Sequence, residues 1–299
     1  MNPVFCQTVK IDQLEAIKVE HPLFTATLLL QGAQLIEFTP SSCNNNLLWL
    51  SDTVEYKLGK PLRGGIPICW PWFGNMDKNP TKIQQQIQGE ASAHGFARSM
   101  PWQVNSITES CHHVEIILQL TNNQQTQTLW PFEFNLQARF VFTNTLEVEL
   151  TTTNTGAKTF AISQALHTYF PTDDITKTYI HNTHGSRYID ALDNWKEKKQ
   201  NGRIGFSEET DRLYFFNADK LDTYELRIES PNTQLVLKNT QSKSAVIWNP
   251  WIEKSKRLSQ FSPQDYQHMY CIETANVMSD HKMLVPNQQQ SLKFELSLL

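Results

Sequence analysis

Phe132-Glu133-Phe134-Asn135-Leu136-Gln137-Ala138-Arg139 carries the pattern that decides the fold class. Phe132, Phe134, Leu136 and Ala138 are apolar; the four residues between and after them are polar. A period of two sends successive side chains to opposite faces of a strand, one toward a core and one toward water. The next segment repeats it, with Leu146, Val148 and Leu150 alternating with Glu147, Glu149 and Thr151. Upstream, 114–120 reads as a buried strand, and 24–30 and 35–38 flank Gln31-Gly32-Ala33-Gln34 as a hairpin or glycine bend. Downstream, 223–229, 235–237, 245–248 and 292–296 read as further strands, rich in β-branched and aromatic residues.

Few stretches sustain a 3.6-residue apolar stripe. The best are short, at 252–258 and 263–268. No alternation of strand and helix suggests a parallel sheet. No Pro/Gly-rich linker divides the chain and no internal repeat is present. The glutamine tracts Gln84–Gln86 and Gln288–Gln290 read as surface turns. The expectation is a mainly β protein, one domain over residues 1–299, built as a large antiparallel β-sandwich.

The 299 residues are 39% hydrophobic and 19% charged, too apolar for a disordered chain and too polar for a membrane bundle. The longest apolar run, near Leu28-Leu29-Leu30, ends at Gln31-Gly32, far short of a bilayer span. Met1-Asn2-Pro3-Val4 offers no basic region ahead of an apolar core, so no signal peptide is expected. Five cysteines are scattered, with no Cys-x-x-Cys pair, which fits free thiols in a reducing compartment such as the cytoplasm. Net charge is −4 and the basic residues are dispersed, which argues against a nucleic-acid surface. An anionic ligand would therefore be held locally, by a few placed arginines.

Phosphate-loop, dinucleotide, nucleophile-elbow and zincin motifs are all absent. His181 and His184 are a possible metal pair, but no Cys or Asp ligands accompany them, and ordinary loop histidines are the alternative. Four segments remain. Arg63-Gly64-Gly65-Ile66-Pro67-Ile68-Cys69-Trp70-Pro71-Trp72-Phe73-Gly74 forces an irregular backbone beside two tryptophans. Aromatic faces bind the C–H faces of sugars, and a rigid loop could hold Arg63 in place. A packed core loop with a surface arginine is the alternative. His94-Gly95-Phe96-Ala97-Arg98 sets a histidine and an arginine around a glycine read as flexible, and two arginines would make a phosphate cradle. His167 stands at the end of an apparent strand, where a hydrogen-bonded core histidine is the common case. Glu273 interrupts the apolar run Tyr270-Cys271-Ile272, and a buried carboxylate is costly unless it is paired or used.

In their order, RGGIPICWPWFG, AHGFAR, HTYF, Thr210-Asp211-Arg212-Leu213-Tyr214, Trp248-Asn249-Pro250-Trp251 and CIETAN, these segments resemble the hexose-6-phosphate mutarotase branch of the aldose 1-epimerase family. The resemblance implies a β-sandwich of the galactose mutarotase-like type, with no metal and no organic cofactor. It implies His167 and Glu273 as catalytic residues, Arg63 and Arg98 near a sugar phosphate, and His94 and Asp211 at sugar hydroxyls or the ring. A glutamine that some relatives carry before HGFAR is Ala93 here, and Gln88 is a possible substitute.

The implied activity is interconversion of the anomers of a hexose 6-phosphate by a cytoplasmic monomer whose partner is a small sugar phosphate, with neither nucleic acid nor membrane involved. Such chemistry needs only proton transfers. Glu273 is expected as base on O1 and His167 as acid on O5, the histidine shifted upward by nearby carboxylate and phosphate charge. The rivals are a mutarotase for unphosphorylated aldoses, a non-catalytic sugar-phosphate binding protein, and a glycoside hydrolase, which would want a second carboxylate.

Overall fold

The computed structural model describes residues 4–43, 45–217 and 222–299, so Met1 to Pro3 of the leader reading lie outside the described residues. Two large antiparallel sheets dominate. The alternating segments fall in a nine-stranded sheet whose centre is Gln289–Leu298, Leu146–Asn154, Phe134–Phe142 and Val114–Thr121. Phe134, Leu136, Ala138, Phe140 and Phe142 are all buried, while the residues between them keep partial contact with solvent. Val114–Thr121 alternates in the same way and is not buried on both sides as its composition suggested.

The second sheet has seven strands, in the order Lys196–Lys199, Arg187–Asp190, Thr210–Phe215, Ser244–Asn249, Met269–Asn276, Gln164–Pro171 and Ile68–Cys69. Its central strands are buried along their length except at Pro171, because both faces are covered. One face supplies Leu166, Phe170, Ile247, Tyr270 and Ile272 to a cluster shared with the inner face of the nine-stranded sheet. Burying each such side chain contributes about 1.5–3 kcal/mol. Polar bonds also cross the sandwich: the Trp70 indole donates to Thr152 Oγ1 at 2.9 Å, and the Thr274 hydroxyl to Asn239 Oδ1 at 2.5 Å. The opposite face carries Ala165, His167 and Tyr169 beside Cys271, Glu273 and Ala275, and there the candidate site forms.

The expected hairpin is present as Phe24–Leu29 paired with Gln34–Pro40 in a four-stranded sheet with Cys6–Ile11 and Leu14–His21. Helices are few. Trp251–Ser255 is one turn shorter at its end than the apolar stripe suggested, and 263–268 holds only the 3₁₀ turn Asp265–Gln267. Gln124–Leu129 is helical without an apolar stripe, started by a reciprocal Asn123–Thr126 cap. Neither glutamine tract is a plain surface turn. Gln86 exchanges two side-chain hydrogen bonds with the backbone of Ala161, and Gln289 and Gln290 open the strand Gln289–Leu298. No helix among the described residues is long and apolar enough to cross a membrane.

Candidate active site

His167 and Glu273 lie on neighbouring antiparallel strands in direct register. Directly opposite residues share a face, so the two side chains must meet. His167 Nε2 is 3.3 Å from Glu273 Oε1, with the residues 8% and 1% exposed. The Tyr169 ring stacks on the imidazole at 4.8 Å, and Trp248 closes against it edge-on at 6.3 Å. His167 Nδ1 and Glu273 Oε2 are buried and have no protein partner. Unpaired buried polar atoms cost about 1–3 kcal/mol each, and both of these belong to the same pair.

Burial decides the charge of this pair. It pushes the Glu273 carboxyl well above the usual carboxylate range; the charge of Asp211 adds to the rise and Arg98 opposes it. Burial lowers His167 to about 3, with Arg98 and then Arg63 adding to the fall. The histidine was expected to shift upward. The direction is reversed, because desolvation and the guanidinium groups of Arg98 and Arg63 disfavour the imidazolium.

The arginines come from the two glycine-bearing loops. Arg63 Nε donates to Ser259 O at 3.0 Å and Arg98 Nη2 to Ala93 O at 2.8 Å. Among the described residues neither has a carboxylate within ion-pairing distance, whereas Arg139, Arg187, Arg203, Arg212 and Arg227 all do. The loops are pinned to each other rather than flexible. Gly95 has φ +71 and bridges to Trp70, and a Cβ there would strike the Trp70 carbonyl oxygen. His94 Nδ1 accepts from Gly74 N at 3.3 Å, so the neutral ring presents its Nε2–H, with His167 5.6 Å away. Burial, and after it Arg98, His167 and Arg63, push His94 well below its usual value.

Arg63, His94, Arg98, His167, Tyr169, Trp248 and Glu273 line one cavity of about 410 Å³, together with Asp211, whose carboxylate is 3.6 Å from Lys254 Nζ. A second cavity of about 420 Å³ abuts the first. The two share Arg63, Arg98, His167 and Tyr169, but Glu273 lines only the first.

The family model described as aldose 1-epimerase matches residues 15–297. The chain belongs to the aldose 1-epimerase family. A candidate glucose-6-phosphate 1-epimerase of Escherichia coli (strain K12) is 33% identical over 284 residues, spanning 95% of this chain and 90% of that protein. Another from Cenchrus ciliaris is 30% identical over 267 residues, spanning 84% and 75%. The crystal structure of a candidate mutarotase from Salmonella typhimurium superposes with a TM-score of 0.86 at 29% identity, over 100% of this chain and 95% of that one.

In this aldose 1-epimerase fold all six residues singled out in the sequence, Arg63, His94, Arg98, His167, Asp211 and Glu273, meet in one cavity. The tryptophans of the first loop do not: Trp70 and Trp72 are fully buried as scaffold. Trp195 and Lys78 line the cavity instead and were missed, and Trp248, quoted above only as part of a motif, lines it too. A tryptophan in the polar turn Asp193-Asn194-Trp195-Lys196 was the available signal. Gln88 does not replace the glutamine lost at Ala93, since it is exposed and lines neither cavity. His181 pairs with Glu229 at 2.8 Å and His184 accepts from Gly202 N, so the two are engaged separately. Among the described residues no three His, Cys, Asp or Glu side chains are grouped so as to hold a metal ion.

Proposed function

We propose that this isomerase interconverts the α and β anomers of a D-hexose 6-phosphate, with glucose 6-phosphate as the expected substrate. One observation carries the reading: a buried imidazole and carboxyl, 3.3 Å apart, share a cavity with two arginines that lack carboxylate partners among the described residues. Glu273 takes the proton from O1 while His167 protonates O5. The C1–O5 bond opens to the aldehyde, and rotation about C1–C2 presents the other face. Closure returns both protons. Each placed group contributes about 10²–10⁴-fold. The steps are proton transfers and need no cofactor. Arg63 and Arg98 hold the phosphate, whose binding energy orients the ring. His94 donates to the ring or a hydroxyl, and Asp211 accepts from hydroxyls.

The five cysteines are all unpaired, which supports a reducing, cytoplasmic setting. The relatives named for glucose-6-phosphate 1-epimerase favour the phosphorylated substrate over a free aldose.

Saturation-transfer NMR on glucose 6-phosphate tests the reading. The protein should accelerate exchange between the anomeric signals, and Glu273→Gln should cut the gain by at least about 100-fold. Equal acceleration of free glucose would remove the phosphate from the proposal. No acceleration of either sugar would end it.

A further inference from the structure

Arg63 ends a loop, residues 51–63, that contains no strand or helix. On one side the loop rests on the four-stranded sheet and its turns. Leu58 N donates to Gln13 Oε1 at 3.2 Å, Gly59 N to Gln31 Oε1 at 2.7 Å, and Gln34 Nε2 to Leu62 O at 3.3 Å. On the other side it meets a turn from far along the chain, Ser259-Gln260-Phe261. Gln260 spans the loop with its amide, accepting from Glu55 N at 3.1 Å and donating from Nε2 to Pro61 O at 3.2 Å. Its two neighbours take the guanidinium. Ser259 O accepts from Arg63 Nε at 3.0 Å, and the Phe261 ring centroid lies 5.8 Å from the guanidinium carbon. Phe261 is buried against Trp49, with ring centroids 5.4 Å apart, so the turn is anchored behind the arginine. Gln260 holds φ +52 in this turn, an uncommon conformation for a residue with a side chain.

The bond from Nε decides which edge of the guanidinium is left. A guanidinium grips an anion through two parallel N–H bonds, either at its Nε side or across its two terminal nitrogens. With Nε committed to Ser259, the terminal nitrogens Nη1 and Nη2 remain, and Arg63 has no other hydrogen-bond partner among the described residues. We propose that Gln260 is a positioning residue of the phosphate site: by clasping Glu55 and Pro61 it holds Ser259 O against Nε, and so presents the end of the Arg63 fork to the phosphate. The proposal rests on the function argued above and names what aims one of its two arginines.

The clasp stands apart from the acid–base pair. Ser259 and Gln260 line the second cavity and not the first, and Glu273 lines the first and not the second. The Glu55 carboxylate also lines the second cavity, where it pairs with Lys57 at 2.9 Å and with Lys60 at 4.0 Å. Gln260 engages the Glu55 backbone N–H and leaves that carboxylate to the lysines. Arg98 is held differently, by Ala93 O on its own loop, so it keeps its place when the clasp is lost. Loss of Gln260 therefore acts on phosphate binding through Arg63.

Gln260→Gly tests this. Glycine adopts the left-handed backbone without steric cost, so the variant keeps the turn and deletes both side-chain bonds. The loop keeps its bonds to Gln13, Gln31 and Gln34. Calorimetry gives Kd for glucose 6-phosphate and exchange NMR gives kcat and KM, in the wild-type protein, Gln260→Gly, Arg63→Ala and the double variant. In Gln260→Gly, Kd and KM should rise about tenfold, the low end of what one charged hydrogen bond is worth, with kcat changed less than about twofold. In the Arg63→Ala background the same change should add nothing, because Gln260 acts through the arginine. A merely structural turn would weaken both backgrounds alike. An unchanged Kd in Gln260→Gly, or a loss that multiplies with that of Arg63→Ala, overturns the inference and leaves the function intact. A protein that shows the coupling in Kd without turning the sugar over keeps the inference and removes the function. A wild-type protein that neither binds nor turns over glucose 6-phosphate ends both.

Discussion

Lys78 Nζ sits 5.9 Å from the centroid of the Trp195 ring, joining two separate loops where the cavity meets solvent. Trp195 follows Asn194 in a turn in which both have positive φ, 58 and 51, an uncommon cost for a bulky side chain. Strain of this kind gathers where a side chain must be aimed. The indole is 36% exposed and free to cover a sugar. Trp195→Ala should raise KM for glucose 6-phosphate about tenfold, the worth of one aromatic contact, with kcat changed less than about twofold. Exchange NMR over a range of substrate concentrations separates the two constants. An unchanged KM would leave Trp195 as a turn residue only.

The strands Phe134–Phe142 and Leu146–Asn154 were legible because water covers one of their faces and the alternation survives. The strands that carry His167 and Glu273 are buried on both sides, so period two fades and only motif content marked them. Their register, which puts the two residues opposite one another, depends on pairing across about a hundred residues and has no local signature. Trp70 and Trp72 misled because composition gives a residue's chemistry and not the face it takes. The bonds of Gln86 to Ala161 escaped for the reverse reason: a polar tract looks solvated until a strand edge needs partners.

Asp211 lines the cavity and keeps Lys254 at 3.6 Å, while Lys254 also reaches Glu209 at 3.1 Å. A carboxylate with one shared cation has acceptor capacity left for hydroxyls. Asp211→Asn should raise KM about 10–100-fold, matching the loss of about 1.5–3 kcal/mol from a charged hydrogen bond. Because Asp211 also adds to the rise at Glu273, the same change should lower the acid limb of the kcat profile. A KM effect without movement of that limb would mean that Asp211 binds the sugar and leaves the acid–base pair alone.

Gly95 and Gly59 have nearly the same φ, +71 and +73, but different surroundings. A Cβ at Gly59 meets nothing within 4 Å, whereas one at Gly95 runs into the Trp70 carbonyl. Gly59→Ala should cost about 1–2 kcal/mol from its left-handed backbone alone. Gly95→Ala should cost about 3 kcal/mol or more, a fall in Tm of roughly 5 °C or more, and should displace Arg98 from the cavity. Thermal unfolding of the two variants separates backbone strain from steric exclusion. Equal losses would show that the loop yields.

The pH dependence of stability in the free protein follows from the same burial that shapes the pair. His167 falls from 6.5 to about 3 on folding. Inside that window only the unfolded chain binds the proton, so stability drops as pH falls, by up to about 1.4 kcal/mol per unit. Glu273 is raised well above 4.5, so above that value the native state holds a proton that the unfolded chain has lost. Stability therefore also falls as pH rises from 4.5 toward the raised value. Glu273→Gln should then raise Tm at pH 8 and change it little at pH 4, while His167→Asn should raise it at pH 4 and not at pH 8. Tm values at pH 4, 6 and 8 decide the matter. A Glu273→Gln protein that loses stability at pH 8 would mean that the native carboxylate is ionised and stabilised, the opposite of what its burial requires.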